Sequence, residues 1–291
     1  MLQPDLLIAA LMILLPFFYA AFFADRVTAV AQALPRPIRI AAPALLCLPY
    51  LFVARSFHIF RWEWLALYAF LPSGIAFLLD QARAADVSHR GNWRDFLVLL
   101  LLGLAVDLRW FEAAWPHGYA VLGKMLLLDA GIFAFLGVRR LDGVGFDLRL
   151  QRQDVAIGLR EFAMYAVIAI PLGLWLGFLH LHAVWPQPLR AIGAFILTFL
   201  VIAVPEELFF RGWLQNLLER RIGRFAALWV TAVLFGLAHW NKRTAGFNWR
   251  YVIMASLAGI FYGRAWRAQR RVGASCLTHA TVDTLWSLWL R

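Results

Sequence analysis

Only two cysteines, Cys47 and Cys276, occur in 291 residues, each inside an apolar run. That excludes a disulfide scaffold and any multi-cysteine metal site. Charge is also scarce, at 15% of residues, and lysine is nearly missing: only Lys124 and Lys242 accompany a chain otherwise basic through arginine. This bias is that of a GC-rich bacterial genome. There is no HExxH, no GxSxG and no phosphate-binding glycine loop, so soluble-zincin, serine-hydrolase and nucleotide readings lack support, and no organic cofactor is expected. No internal repeat or low-complexity tract is present. The N-terminal Met1-Leu-Gln-Pro-Asp5 has no basic n-region, so the run Leu6–Phe23 is expected to be a retained span.

What the chain has in abundance is apolar sequence. Hydrophobic residues make up 63% and mean hydropathy is +0.69, more than a soluble domain of this size can hide. The expectation is an all-α, polytopic integral membrane protein of about eight to ten transmembrane helices, because an open sheet would leave backbone groups unsatisfied in lipid. Ten runs qualify: Leu6–Phe23, Ile40–Ala54, Trp64–Leu79, the short Phe96–Val106, Tyr119–Val138, Phe162–Leu181, Ala191–Val204, Phe225–Trp240, Tyr251–Gly263 and Gly273–Leu290. A net charge of +11 points here to anionic headgroups and membrane orientation rather than to nucleic acid, since the basic residues sit in short loops. Most lie after the first, third, fifth, seventh and ninth runs. The positive-inside rule assigns those loops to the cytoplasm and both termini to the outside. The setting expected is a bacterial inner membrane. The longest polar connection, Arg139–Arg160, is expected to lie along the surface as an amphipathic segment. It separates N-terminal helices of unassigned role, residues 1–161, from a polar-punctuated part, 162–291.

Ionisable groups in hydrocarbon are costly and usually functional, and the last third holds several. In Val204-Pro-Glu-Glu-Leu-Phe-Phe-Arg211, Pro205 is expected to break or kink the seventh helix. Neighbouring helical residues diverge by about 100°, so only one of Glu206 and Glu207 should enter a given cavity. Glu207 and Arg211, four apart, share a face and can pair, which leaves Glu206 for chemistry. A carboxylate in an apolar cavity is a usable general base near neutral pH. Late in the eighth run, His239 closes Phe235-Gly-Leu-Ala-His239 and can bind metal, orient a water or relay a proton. In the last run, His279 and Asp283 lie one turn apart on one face. Counting about 1.5 Å per residue from the basic turns places Glu206, His239, His279 and Asp283 at compatible depths, so an intramembrane cavity in the C-terminal half can gather them. His58, His89, His117, His180 and His182 lie in loops or at helix ends and read as interfacial.

Taken together, Glu-Glu-x-x-x-Arg at 206–211, Phe-x-x-x-His at 235–239 and His-x-x-x-Asp at 279–283 resemble the three motifs of the CAAX protease and bacteriocin-processing (Abi) family of intramembrane proteases. The resemblance covers roughly Phe162 to Leu290. It implies a CAAX-protease-like intramembrane endopeptidase, with Glu206 as the water-activating base and His239 as its partner at the water. His279 and Asp283 correspond to the pair that polarises the scissile carbonyl or stabilises its oxyanion; Glu207, Arg211 and Phe235 are supporting residues. The third motif ends in Asn or Asp in the family, so Asp283 is within the pattern. The family is classed with metalloproteases, yet a glutamate mechanism without metal is also argued for it. One zinc held by Glu206, His239 and His279 is therefore the conditional cofactor. Eukaryotic members cleave after a prenylated cysteine. For a bacterial chain the expected partner is instead a membrane-associated peptide or protein, within the lipid bilayer. The competing expectations are a proton-coupled transporter, which spreads ionisable residues over both halves, and a non-catalytic scaffold or immunity protein, which loses a motif residue.

Overall fold

The computed structural model describes residues 4–182, 185–242 and 246–290; their regular structure is helical throughout, with no strand among them. Ten helical rods occur in chain order: α1 (Pro4–Ala33), α2 (Arg36–Ser56), α3 (Trp62–Ala85), α4 (Trp93–Asp107), α5 (Ala120–Val138), α6 (Arg152–Trp175), α7 (Pro188–Ile222), α8 (Arg224–Leu237), α9 (Trp249–Gln269) and α10 (Val272–Trp289). Each grows out of one of the ten apolar runs. Six of them (α1, α2, α3, α5, α6 and α7) are long and apolar enough to cross a membrane. At 21 and 18 residues, α9 and α10 have similar reach, but arginines and the polar motif residues lower their hydropathy. Apolar side chains such as Val167, Leu189, Leu197 and Phe225 point outward, as they must where the surrounding solvent is lipid.

The chain divides into two compact units, Met1–Asp142 and Gly143–Arg291. In the first, Arg139 gathers the ends of three helices. Its guanidinium pairs with Asp86 and, at 2.6 Å, with Asp95, all of them buried. Burial pushes the Asp86 carboxyl up, but hydrogen bonds from the Gly91 amide and from Arg139 outweigh it and hold the group below its ordinary value. Asp129, in the middle of α5, is the exception: both its carboxylate oxygens are buried without a hydrogen-bond partner.

The second unit begins with an extended strap. Val144, Phe146 and Leu148 alternate inward, the period-2 pattern of extended chain. The strap is held by the Val272 amide donating to the Gly145 carbonyl (2.9 Å) and the Trp266 indole donating to that of Val144 (3.2 Å). Arg271, at the start of α10, clamps it through Asp147 and Asp154, both at 3.1 Å. Gly145, at φ +70°, lies where a Cβ would overlap the Arg270 carbonyl; only glycine permits that approach. These contacts put the strap and the start of α6 with the second unit, Gly143–Arg291.

The expected break at Pro205 is absent. Helix α7 runs on for 35 residues, and the four α-helical residues Val204–Glu207 are flanked by wider π-type windings at Phe199–Ala203 and Leu208–Gln215. Proline lacks the N–H for the bond to the preceding turn, and its ring crowds that turn's carbonyl. Local widening absorbs the conflict without interrupting the helix.

Candidate functional site

α8 and α9 set the frame. They run antiparallel with almost nothing between their backbones: a Cβ on Gly259 would lie 3.0 Å from the Cα of Ala232, and one on Gly236 2.5 Å from the Val252 carbonyl. Small residues at such crossings let membrane helices touch and pack by van der Waals contact. Against this pair lie α10 and the Glu206–Arg211 segment of α7.

Glu207 and Arg211 pair as expected, Oε2 to Nε at 3.1 Å, with both side chains fully buried. The guanidinium also donates through Nη2 to the Gly259 carbonyl (3.0 Å) and lies over the rings of Phe235 (4.7 Å) and Tyr262 (5.4 Å). The other Glu207 oxygen, Oε1, accepts from Nδ1 of His279 at 2.8 Å. On the far edge of that imidazole, Nε2 is 3.4 Å from Asp283 Oδ2 and 3.9 Å from Glu206 Oε2. Both glutamates thus reach one histidine, although neither lines the cavity beside it. The imidazole comes in edge-first and offers one nitrogen to each, and two flexible side chains diverging from the helix bend back to meet it. Tyr262 stacks on the His279 ring (4.6 Å between centroids, 15° between planes), and Phe235 meets it edge-on at 5.7 Å. Neither the Tyr262 stacking nor the Glu207–His279 bond has a signature in sequence spacing, because both depend on how the helices rotate about their axes.

His239 stands apart from the carboxylates. Its Nδ1 bonds to the carbonyl of Phe235 (2.8 Å), its ring lies beside those of Phe235 (4.9 Å) and Tyr251 (5.0 Å), and it forms no ion pair with either glutamate. A carbonyl only accepts, so Nδ1 carries hydrogen and Nε2 of the neutral ring is an acceptor. Histidines 239 and 279 and Asp283 nevertheless line one cavity of about 280 Å³. Its remaining walls are apolar and aromatic, among them Tyr165, Met254 and Trp286. Glu206, with its side chain 35% exposed, approaches His279 from outside that lining.

The donor set for a metal does not converge. Among the described residues no three His, Cys, Asp or Glu side chains are arranged to hold an ion. His279 is committed to Glu207 through Nδ1, and Phe235 packs against both imidazoles. Glu206 and His279 approach each other, but the third expected ligand, His239, is not with them.

An all-helical membrane protein with carboxylates, imidazoles and a guanidinium sunk among apolar helices belongs to a narrow class, whose members use such groups for chemistry or ion movement. Residues 188–285 match the family model described as type II CAAX prenyl endopeptidase Rce1-like. That stretch, which holds all three motifs, is an Rce1-like CAAX-protease domain, in agreement with the resemblance its motifs carry; residues 1–187 lie outside the match. No curated protein and no solved structure matches the chain.

Proposed function

We propose that this protein is an intramembrane endopeptidase that hydrolyses a peptide bond of a membrane-associated peptide or protein, with Glu206 activating the water. The observation that carries this reading is the cluster of Glu206, His279 and Asp283, braced by Glu207 and Arg211 and opening onto an apolar cavity. A separation of 3.9 Å between Glu206 and His279 Nε2 is too long for a direct hydrogen bond and suits a bridging water. Glu206 takes the proton as the water oxygen adds to the scissile carbonyl carbon. Carboxylate oxygens face both nitrogens of His279, which suits that ring, steadied by Asp283, to donate toward the oxyanion of the tetrahedral intermediate. His239, its tautomer fixed by the Phe235 carbonyl, lines the same cavity and offers Nε2 as an acceptor for an N–H of the bound substrate chain. When the C–N bond breaks, the proton held by Glu206 passes to the departing amine. No step is routed through a metal, because the donor set does not converge on one.

The membrane setting expected is a bacterial inner membrane. The test is a cleavage screen with purified full-length protein in lipid nanodiscs, comparing wild type with Glu206→Gln and His279→Ala. Hydrolysis by wild type and loss of at least about a hundredfold in both variants is the expected result. Equal hydrolysis by all three proteins would end the assignment.

A further inference from the structure

The cavity has a direction. Along α10 it is lined from His279 to Leu290 and along α9 from Tyr262 to Tyr251, about eleven residues in each helix, or roughly 16 Å of rise. The two stretches run antiparallel and finish at the same end of the unit. There Phe178 and Leu179 complete the wall, and the following segment is tied to the end of α10 by the amides of His180 and His182, which donate to the carbonyls of Leu290 (3.2 Å) and Trp289 (2.8 Å). His182 is exposed at that rim.

The arginine-rich turns lie at the opposite end. Arg220, Arg221 and Arg224 join α7 to α8, and Arg267, Arg270 and Arg271 join α9 to α10; Arg149 and Arg152 enter α6 beside them. Among the described residues, the cavity's end of the unit is basic through Lys242 in the α8–α9 connection, Arg190 in α7 and Arg250 in α9, fewer than half as many. Arg271 is eight residues before His279, roughly 12 Å along the axis. The cavity therefore begins beyond that distance and extends away from the richer face. The connection 176–187 beside its other end contains no Lys or Arg. A bilayer core is about 30 Å thick, so the cavity occupies the half of the membrane remote from that face. An excess of Lys and Arg in short loops marks the cytoplasmic side.

We infer that the scissile segment enters from the extracytoplasmic side, past the rim formed by residues 178–182 and the end of α10. The substrates so defined are membrane-anchored chains exposed on the outer face, with bulky apolar side chains next to the cleaved bond. The cavity wall offers no ionisable partner except Asp283, His279 and His239, and burying a charged substrate side chain without a partner is prohibitive. This inference rests on the hydrolase reading for what the cavity holds, but not for which face it meets.

The experiment uses full-length protein in spheroplasts and a bulky membrane-impermeant maleimide, with His182→Cys at the rim and Arg221→Cys on the basic face. Wild type sets the background, since Cys47 and Cys276 lie within helices. The expected result is labelling of His182→Cys in intact spheroplasts and of Arg221→Cys only after permeabilisation. Once modified, purified His182→Cys should lose at least about tenfold in kcat/KM on an apolar membrane-anchored peptide, whereas modified Arg221→Cys should stay within about twofold of its unmodified form. Reversed labelling overturns the inference, and so does a modified rim that cleaves as before. Absence of hydrolysis by unmodified wild type sinks the hydrolase reading instead, and the labelling still decides the face.

Discussion

Glu207 is the residue whose charge the second unit can least do without. It faces two buried donors at once, His279 Nδ1 at 2.8 Å and Arg211 Nε at 3.1 Å, and its own side chain is wholly inaccessible. In Glu207→Gln the amide oxygen can serve one of these donors, but the NH2 group then confronts the other. Arg211 is left in a low-dielectric interior with no anion. Removing one partner of a buried ion pair costs about 3–5 kcal/mol. For a protein of this size each kcal/mol moves the melting midpoint by about 2–4 °C, so a fall on the order of 10 °C is expected for purified protein in a fixed detergent. Peptide hydrolysis should fall as well, because the carboxylate charge that holds and supports His279 is gone. The double variant Glu207→Gln/Arg211→Met separates causes: with the orphaned cation removed, at least half of the lost stability should return, a positive coupling typical of contacting residues. Hydrolysis should stay reduced, since the amide oxygen that now accepts from His279 is neutral and no longer supports its charged form. A midpoint for Glu207→Gln within about 2 °C of wild type, or strictly additive losses in the double variant, would refute the reasoning.

Other outcomes follow from the same geometry. Glu206→Gln should abolish hydrolysis while leaving the melting midpoint within about 2 °C of wild type, because that carboxylate is partly exposed and only a 3.9 Å contact links it to His279; equal loss of folding would make it structural. Prolonged treatment with a chelator, followed by hydrolysis measurements, should leave activity intact, and loss restored by added zinc would show that the histidines rearrange around an ion. At the strap, burial pushes the Asp147 carboxyl up, but the contacts from Arg149 and Arg271 outweigh it and hold it below its ordinary value. A depressed folded-state value contributes stability that is present above the unfolded value of about 3.9 and is lost as pH falls through the folded one. Asp147→Asn should therefore flatten the decline in melting midpoint below about pH 4, and an unchanged acid limb would dismiss the clamp.

Periodicity and hydropathy are enough to find the rods, because a membrane admits few alternatives to a helix and each apolar run is bounded by turn residues or arginines. Depth is legible for a related reason: a fixed rise per residue, with the slack that helix tilt allows, makes the depths of Glu206 and His279 compatible by counting alone. Rotation about the helix axis is not legible. It decides that Glu207 meets His279 and that His239 turns instead to the Phe235 carbonyl, and it depends on which small residues let backbones close up. The continuity of α7 through Pro205 escapes the sequence because proline's local rule assumes ordinary α-winding, while neighbouring helices hold the wider π form in place. The strap has the polarity of an amphipathic surface segment. Its alternation of Val144, Phe146 and Leu148 is visible in the sequence, but its partners Trp266, Arg271 and Val272 are more than a hundred residues downstream.

The approach of α8 to α9 supplies the most stringent test of how the site is held. A methyl group at position 236 would overlap the Ser256 hydroxyl and lie 2.5 Å from the Val252 carbonyl oxygen. The serine can be trimmed, whereas the carbonyl belongs to the backbone of α9 and cannot yield without moving the helix. Gly236→Ala should therefore force α8 outward. Overpacking of this kind costs about 1–3 kcal/mol, and Phe235, the neighbour of residue 236, packs its ring against both His239 and His279. Activity is expected to fall by more than the stability loss alone accounts for. The discriminating variant is Gly236→Ala/Ser256→Ala. If the hydroxyl were the obstacle, the second substitution would restore both melting midpoint and hydrolysis. Because the carbonyl remains, the double variant should stay as impaired as the single one, and full rescue would show that the spacing of α8 and α9 is set by side chains after all.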